Sequence, residues 1–179
     1  MLIEHAGSQL VLIDVQEKLL PAMADPGGVT RQISILLAAA RVLKVPVTAS
    51  EQYPAGLGPT VQEIGGQLQA GEIMPKTEFS CYANPELHSR LQAGPSQLVL
   101  AGIEAHVCVL QTALDLLEAG RRVFVAADAV SSRRPESKSV ALQRLAAAGA
   151  VIVTAEMVLF EWLRRSDRPE FKMLSRLIR

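Results

Sequence analysis

Unbroken apolar runs alternate along this chain with stretches whose apolar residues return every third or fourth position. Leu10-Val11-Leu12-Ile13 is such a run and predicts a buried strand over 8–14. Ile33, Leu36, Leu37 and Ala40 fall on one helical face and predict a helix over 30–43. A short strand is expected at 46–49. A loop follows over 50–59, which carries Pro54, Gly56, Gly58 and Pro59. A further short strand is expected at 73–75. Asn84-Pro85-Glu86 reads as an N-cap with proline at the first helical position, opening a helix to Leu91. Strands are then expected at 97–103, 122–127 and 150–154. Helices are expected at 105–118, closed by Gly120, at 135–148, closed by Gly149, and at 155–165 and 169–178.

Strands that are continuously apolar, alternating with helices, imply an α/β architecture with a parallel sheet covered on both faces. A chain of 179 residues without repeats or a linker fits one domain over 1–179. Eighteen basic residues balance eighteen acidic ones, and the two signs are mixed. No basic patch points to nucleic acid. The mildly basic stretch 164–179 reads as the solvated face of an outer helix. The chain has no signal-like N-terminus and no apolar run of membrane-spanning length. Two cysteines make no disulfide framework, so a cytoplasmic protein is expected.

Candidate chemistry gathers where strands end, because ligands of open α/β sheets bind at the carboxyl edge. Cys108 lies just after the strand ending at Ile103, in the first turn of the next helix. There the helix dipole and free amides favour a thiolate. A pKa below the ordinary value of about 8.5 is expected, with faster alkylation than at Cys81. On the helical wheel Cys108 stands off the Val107, Leu110, Leu114, Leu117 stripe, which weighs against the commoner fate of an inert core thiol. Cys81 reads as structural or incidental. Asp14 ends the first strand, as catalytic carboxylate or cap. Lys76 follows a middle strand, as a surface residue or a cation beside the thiol and carboxylate. Gln16 and His106 could face the same crevice, and Phe79 could wall it or belong to the core. The three histidines are dispersed, which argues against zinc. No glycine-rich nucleotide fingerprint follows the first strand.

An Asp, a Lys and a Cys in this order resemble the isochorismatase-like hydrolase (cysteine hydrolase) family. The motifs are Leu12-Ile13-Asp14-Val15-Gln16, Pro75-Lys76-Thr77 and Gly102-Ile103-Glu104-Ala105-His106-Val107-Cys108-Val109. The stretches Glu51 to Gly58, Ala127 to Arg133 and Glu156 to Glu161 are similar to its isochorismatase domain-containing subgroup. The resemblance implies a three-layer, Rossmann-like, six-stranded parallel sheet and a triad of Asp14, Lys76 and Cys108. It implies that Cys108 attacks an amide-type carbonyl, that Asp14 shuttles the proton and that Lys76 stabilises the charged pair. It also implies a cis peptide at Ile103–Glu104, with the amides of Glu104 and Cys108 forming an oxyanion hole. Pocket lining is expected from Gln16, Gln52, Tyr53, Phe79, Glu104 and His106. Glu104 stands where the amidases usually carry a small residue, so its side chain is expected to reshape the pocket or favour a cationic group.

Two departures shape the expectation. The stretch Thr48-Ala49-Ser50-Glu51-Gln52-Tyr53 lacks the family's metal-binding Asp and His, so no metal and no cofactor are expected. Cys108 is present, whereas true isochorismatases do not keep it. The expected protein is a metal-independent cysteine hydrolase of a small molecule. The competing reading is a non-catalytic binding or scaffolding protein. A homo-oligomer, dimer or tetramer, is expected, served by the apolar stretch Met157 to Leu163, with no nucleic-acid or membrane partner.

Overall fold

The computed structural model describes residues 1–178. Six strands form one parallel sheet: β1 (Ser8–Ile13), β2 (Val47–Gln52), β3 (Ile73–Lys76), β4 (Gln97–Ile103), β5 (Arg122–Ser131) and β6 (Val151–Val153). Their order across the sheet is β3-β2-β1-β4-β5-β6. The helices are α1 (Pro26–Leu43), α2 (Pro54–Leu57), α3 (Gln62–Gly65), α4 (Pro85–Ala93), α5 (Leu110–Glu118), α6 (Pro135–Ala147), α7 (Ala155–Leu163) and α8 (Phe171–Leu174).

Alternation along β1 explains the layering, because successive side chains leave a strand on opposite faces. Leu10 and Leu12 pack on one side with Ile33, Leu36 and Leu37 of α1 and Val158, Leu159 and Trp162 of α7. Val11 and Ile13 pack on the other side with Leu87 and Leu91 of α4, Ala113 and Leu116 of α5 and Leu145 of α6. The sheet is thus buried twice, and its strands read as continuous apolar runs for that reason. The strand order reverses direction between β1 and β4, so the crevice at their carboxyl ends is the topological switch point.

Several boundaries differ from the expected ones. β2 continues through Ser50, Glu51 and Gln52, where a loop was expected, because it pairs with β3 as far as Gln52 opposite Lys76. β5 runs on to Ser131, past an irregularity that shifts its register against β4 between Leu100 and Gly102. α1 starts four residues early, at Pro26, where Asp25 caps it by accepting from the Gly28 amide at 2.9 Å. The expected helix over 169–178 is helical only at Phe171–Leu174. The apolar stretch in α7 is mostly core: Val158, Leu159, Trp162 and Leu163 are buried, and only Met157 and Phe160 face solvent. Trp162 also donates its indole N–H to Ser8 Oγ at 2.8 Å, locking α7 onto the start of β1. That stretch therefore offers two side chains, not six, to any partner subunit.

Candidate active site

β1 ends at Ile13, and the chain turns through Asp14 with φ of 54°. This left-handed conformation is one that Asp tolerates, and the Asp14 amide donates to the Ser50 carbonyl at 3.1 Å. The turn aims the carboxylate sideways, across β2 toward β3. Oδ1 accepts from Ser50 Oγ at 2.7 Å, and Oδ2 accepts from Lys76 Nζ at 2.7 Å. Both side chains of the ion pair are fully removed from solvent. Lys76 Nζ also donates to Gln52 Oε1 at 2.6 Å and contacts the carbonyls of Glu78 and Phe79 at 3.1 and 3.2 Å. Burying two charges is tolerable only with such saturation, since desolvation costs several kcal/mol per ion.

Gly102 brings the third element to this pair. Its φ is 122°, and a Cβ there would stand 2.1 Å from the Ile13 carbonyl oxygen. Glycine thus lets the end of β4 press directly against the end of β1. The next peptide, Ile103–Glu104, is cis. The chain then enters a π-helical turn, Ala105–Val109, before α5 begins. The Glu104 carbonyl accepts from the amides of Val107 and Val109, at 3.1 and 3.3 Å, and passes over the amide of Cys108.

Cys108 is buried, and its thiol lies close enough to Asp14 and Lys76 for both charges to act on it. Burial pushes its thiol well above the ordinary range, and the nearby charge of Asp14 pushes the same way. Lys76 opposes this without reversing it. The expectation of a depressed pKa is therefore corrected. A helix terminus and a lysine favour a thiolate, but removal from water and an adjacent carboxylate outweigh them. The resting nucleophile is a neutral thiol beside the Asp14–Lys76 ion pair.

The helical-wheel reading also changes. Cys108 lies on the buried side with Ala105, Val109, Thr112, Ala113 and Leu116, while Val107, Leu114 and Leu117 are only half-buried. The π turn winds more residues per turn than an α-helix, so a 3.6-residue wheel runs out of phase across it. Cys81 is no incidental loop residue either. It is fully buried, its Sγ contacts Ser50 Oγ at 3.4 Å, and its amide donates to Thr112 Oγ1 at 2.9 Å. Ser50, Cys81 and Thr112 thus belong to the site, although no motif marked them. A buried hydroxyl late in a strand, as at Ser50, is the one signal that could have.

The expected lining residues divide into two groups. Gln16 does not face the crevice. It is fully buried, and its amide is spent on the Gln52 carbonyl (3.0 Å), the Gly58 carbonyl (2.7 Å) and the Gln52 N–H (2.7 Å). Gln52 grips Lys76 with its oxygen and the Thr77 carbonyl with its nitrogen, so it positions the lysine. Glu104 turns away from a cationic guest, because Oε2 accepts from Nε and the backbone amide of Arg133, both at 3.1 Å. His106 is half-buried, and its Nδ1 lies 3.0 Å from Ser132 Oγ. Tyr53 and Phe79 are both more than half exposed, at 57% and 54%, so Phe79 is not core. A cavity of about 400 Å³ opens beside the Cys108 turn, lined by His106, Arg133, Arg134 and Ser137. Among the described residues, no three His, Cys, Asp or Glu side chains come together to hold a metal ion. No helix among them is long and apolar enough to cross a membrane.

Comparison with known proteins adds to this geometry. A model of the isochorismatase domain matches residues 8–157. Isochorismatase domain-containing protein 1 of Danio rerio is 42% identical over 179 residues, an alignment covering 97% of this chain and 62% of that protein. The chain thus spans less than two thirds of that relative's length. The structure of MAR1 ribonuclease from Caenorhabditis elegans superposes with a TM-score of 0.93 at 38% identity, covering 99% of this chain and 92% of that one. The YcaC gene product of Escherichia coli, an octameric hydrolase of unknown specificity, superposes with a TM-score of 0.93 at 26% identity, covering 99% and 89%.

Proposed function

Since this chain belongs to the isochorismatase family of hydrolases, we propose that it is a metal-independent cysteine hydrolase that cleaves an amide-type C–N bond of a small molecule. The observation that carries the reading is the buried thiol of Cys108 within electrostatic reach of Asp14, whose carboxylate is held by buried Lys76 at 2.7 Å. A raised thiol pKa suits this chemistry. The proton stays on sulfur until a carbonyl arrives, and the Cys108 thiol then passes it to Asp14 as the S–C bond forms. No charged thiolate has to be stored in a dry pocket.

In the proposed sequence the carbonyl oxygen becomes an oxyanion, stabilised by the backbone N–H groups of Glu104 and Cys108. The π turn supports this, because the bonds to the Glu104 carbonyl pass over the Cys108 amide. Asp14 returns the proton to the leaving nitrogen, and ammonia or an amine departs. That leaves a thioester on Cys108. Asp14 then deprotonates a water, which attacks the thioester and releases the carboxylic acid and the free thiol. Lys76 holds Asp14 in place by their ion pair, and Gln52 and Ser50 fix the geometry of that pair. Two unpaired, buried cysteines suit a reducing compartment, which supports a cytoplasmic setting.

A panel of small primary amides and ureides, with one short oligoribonucleotide added, tests the reading against Cys108→Ala. The expected result is release of ammonia or amine by the wild-type chain and none by the variant. Equal turnover by both would remove the cysteine mechanism. Binding without turnover across the panel would favour the non-catalytic binding protein.

A further inference from the structure

The cavity beside the Cys108 turn has a charge that the reaction as proposed does not use. Its lining consists of two guanidinium groups, one imidazole and one hydroxyl, from Arg133, Arg134, His106 and Ser137. Among the described residues, no carboxylate lines it. Glu104, expected from the sequence to favour a cation, is consumed by Arg133 through a charged contact and a backbone amide. That pairing engages only Nε of Arg133 and leaves its two terminal nitrogens available. The guanidinium of Arg134 has no hydrogen-bond or ion-pair partner among the described residues. His106 uses Nδ1 on Ser132, and its Nε2 has no partner among the described residues. Glu136 lines an adjoining groove with Leu110 and Val140, and that groove shares His106 and Ser137 with this cavity.

We propose that this cavity is the anion subsite of the enzyme, and that the substrate is an amide carrying a small oxyanion, a carboxylate or phosphate, a short spacer away from the scissile carbonyl. The planar fork of arginine matches both oxyanions bidentately. Position supports it: His106 is two residues before Cys108 in the same π turn, and Arg133 is tied to Glu104, the residue that opens that turn. An anion held there lies against the turn that carries Cys108. Like-sign cations in one concave pocket also focus the field on an approaching anion. The inference rests on the hydrolase reading for its turnover arm alone.

The experiment pairs near-isosteric amides, succinamate against neutral succinamide, with malonamate and glutaramate varying the spacer. The wild-type chain should favour one charged member over succinamide at least tenfold in kcat/KM. Arg134→Gln should cut that ratio at least tenfold, chiefly through KM. Arg122→Gln, at the opposite edge of the sheet, should leave the ratio in place. Independently, succinate and inorganic phosphate are titrated into Cys108→Ala protein by calorimetry, with and without Arg134→Gln. Whichever binds, in an Arg134-dependent way, identifies the oxyanion. Arg134-dependent binding with no amide turned over would keep the subsite and sink the amidase reading. Turnover without charge preference and without anion binding would sink the subsite and keep the amidase. Equal losses in Arg134→Gln and Arg122→Gln, or no binding and no turnover, would also overturn the subsite.

Discussion

Replacing Lys76 by methionine removes one charge from the driest ion pair in the molecule and nearly keeps its volume. Neither partner's side chain touches solvent. Asp14 would keep one hydrogen bond, from Ser50, and face the apolar interior with an uncompensated charge. Gln52 Oε1 and the carbonyls of Glu78 and Phe79 would lose their donor together. Breaking a buried pair by deleting one member costs about 3–5 kcal/mol, against about 0–1 kcal/mol for an exposed pair. With m of about 2–3 kcal/mol/M for a chain of this size, the urea midpoint should fall by about 1–2.5 M at unchanged slope. Asp14→Asn should also destabilise, since Lys76 then sits buried without its counter-charge. The double variant Lys76→Met, Asp14→Asn should recover much of the loss, because no lone charge remains. Its coupling energy should be about 1–3 kcal/mol. Urea melts followed by Trp162 fluorescence measure all four chains. A Lys76→Met midpoint within 0.3 M (roughly what an exposed pair would give) would refute the reasoning, and so would strict additivity in the cycle.

Three further outcomes follow from the geometry. The thiols of Cys108 and Cys81 are both raised by burial first and by Asp14 second. Above about pH 8.5 the unfolded chain therefore binds fewer protons than the folded one, and stability should decline as pH climbs from there; a flat profile between pH 8 and 10 would contradict it. For the same reason Cys108 alkylation by iodoacetamide should still be accelerating at pH 9, and Asp14→Asn should move the curve to lower pH; a midpoint below 8.5 in the wild-type chain would restore the depressed-pKa expectation. Gly102→Ala should cost more than about 2 kcal/mol or abolish folded yield, because the new Cβ meets the Ile13 backbone at a φ that L-residues avoid, and a normal thermal midpoint would argue against the close approach of β4 to β1.

The sequence by itself determined the layering and most of the sheet. Continuous runs such as Leu10 to Ile13 can be satisfied only by burial on both faces, and the alternation with amphipathic helices then demands a parallel arrangement. It also offered Asp14, Lys76 and Cys108 as candidates, through the family resemblance that the order of their motifs carries. The tertiary structure decided everything that depends on which strands become neighbours. β2 extends to Gln52 only because β3 lies alongside, and that pairing puts Gln52 on Lys76 and Ser50 on Asp14. Cys81 and Thr112 join the site across 31 residues of sequence. Glu104 finds Arg133 instead of a substrate, and the free Arg134 beside it gives the pocket its sign. The thiol's protonation state was settled last and against local cues. A helix terminus and a lysine are visible in the sequence, but the loss of water around Cys108 and its distance from a carboxylate 94 positions earlier exist only after folding. Desolvation and electrostatics depend on three-dimensional neighbours, and no local pattern of residue types encodes them.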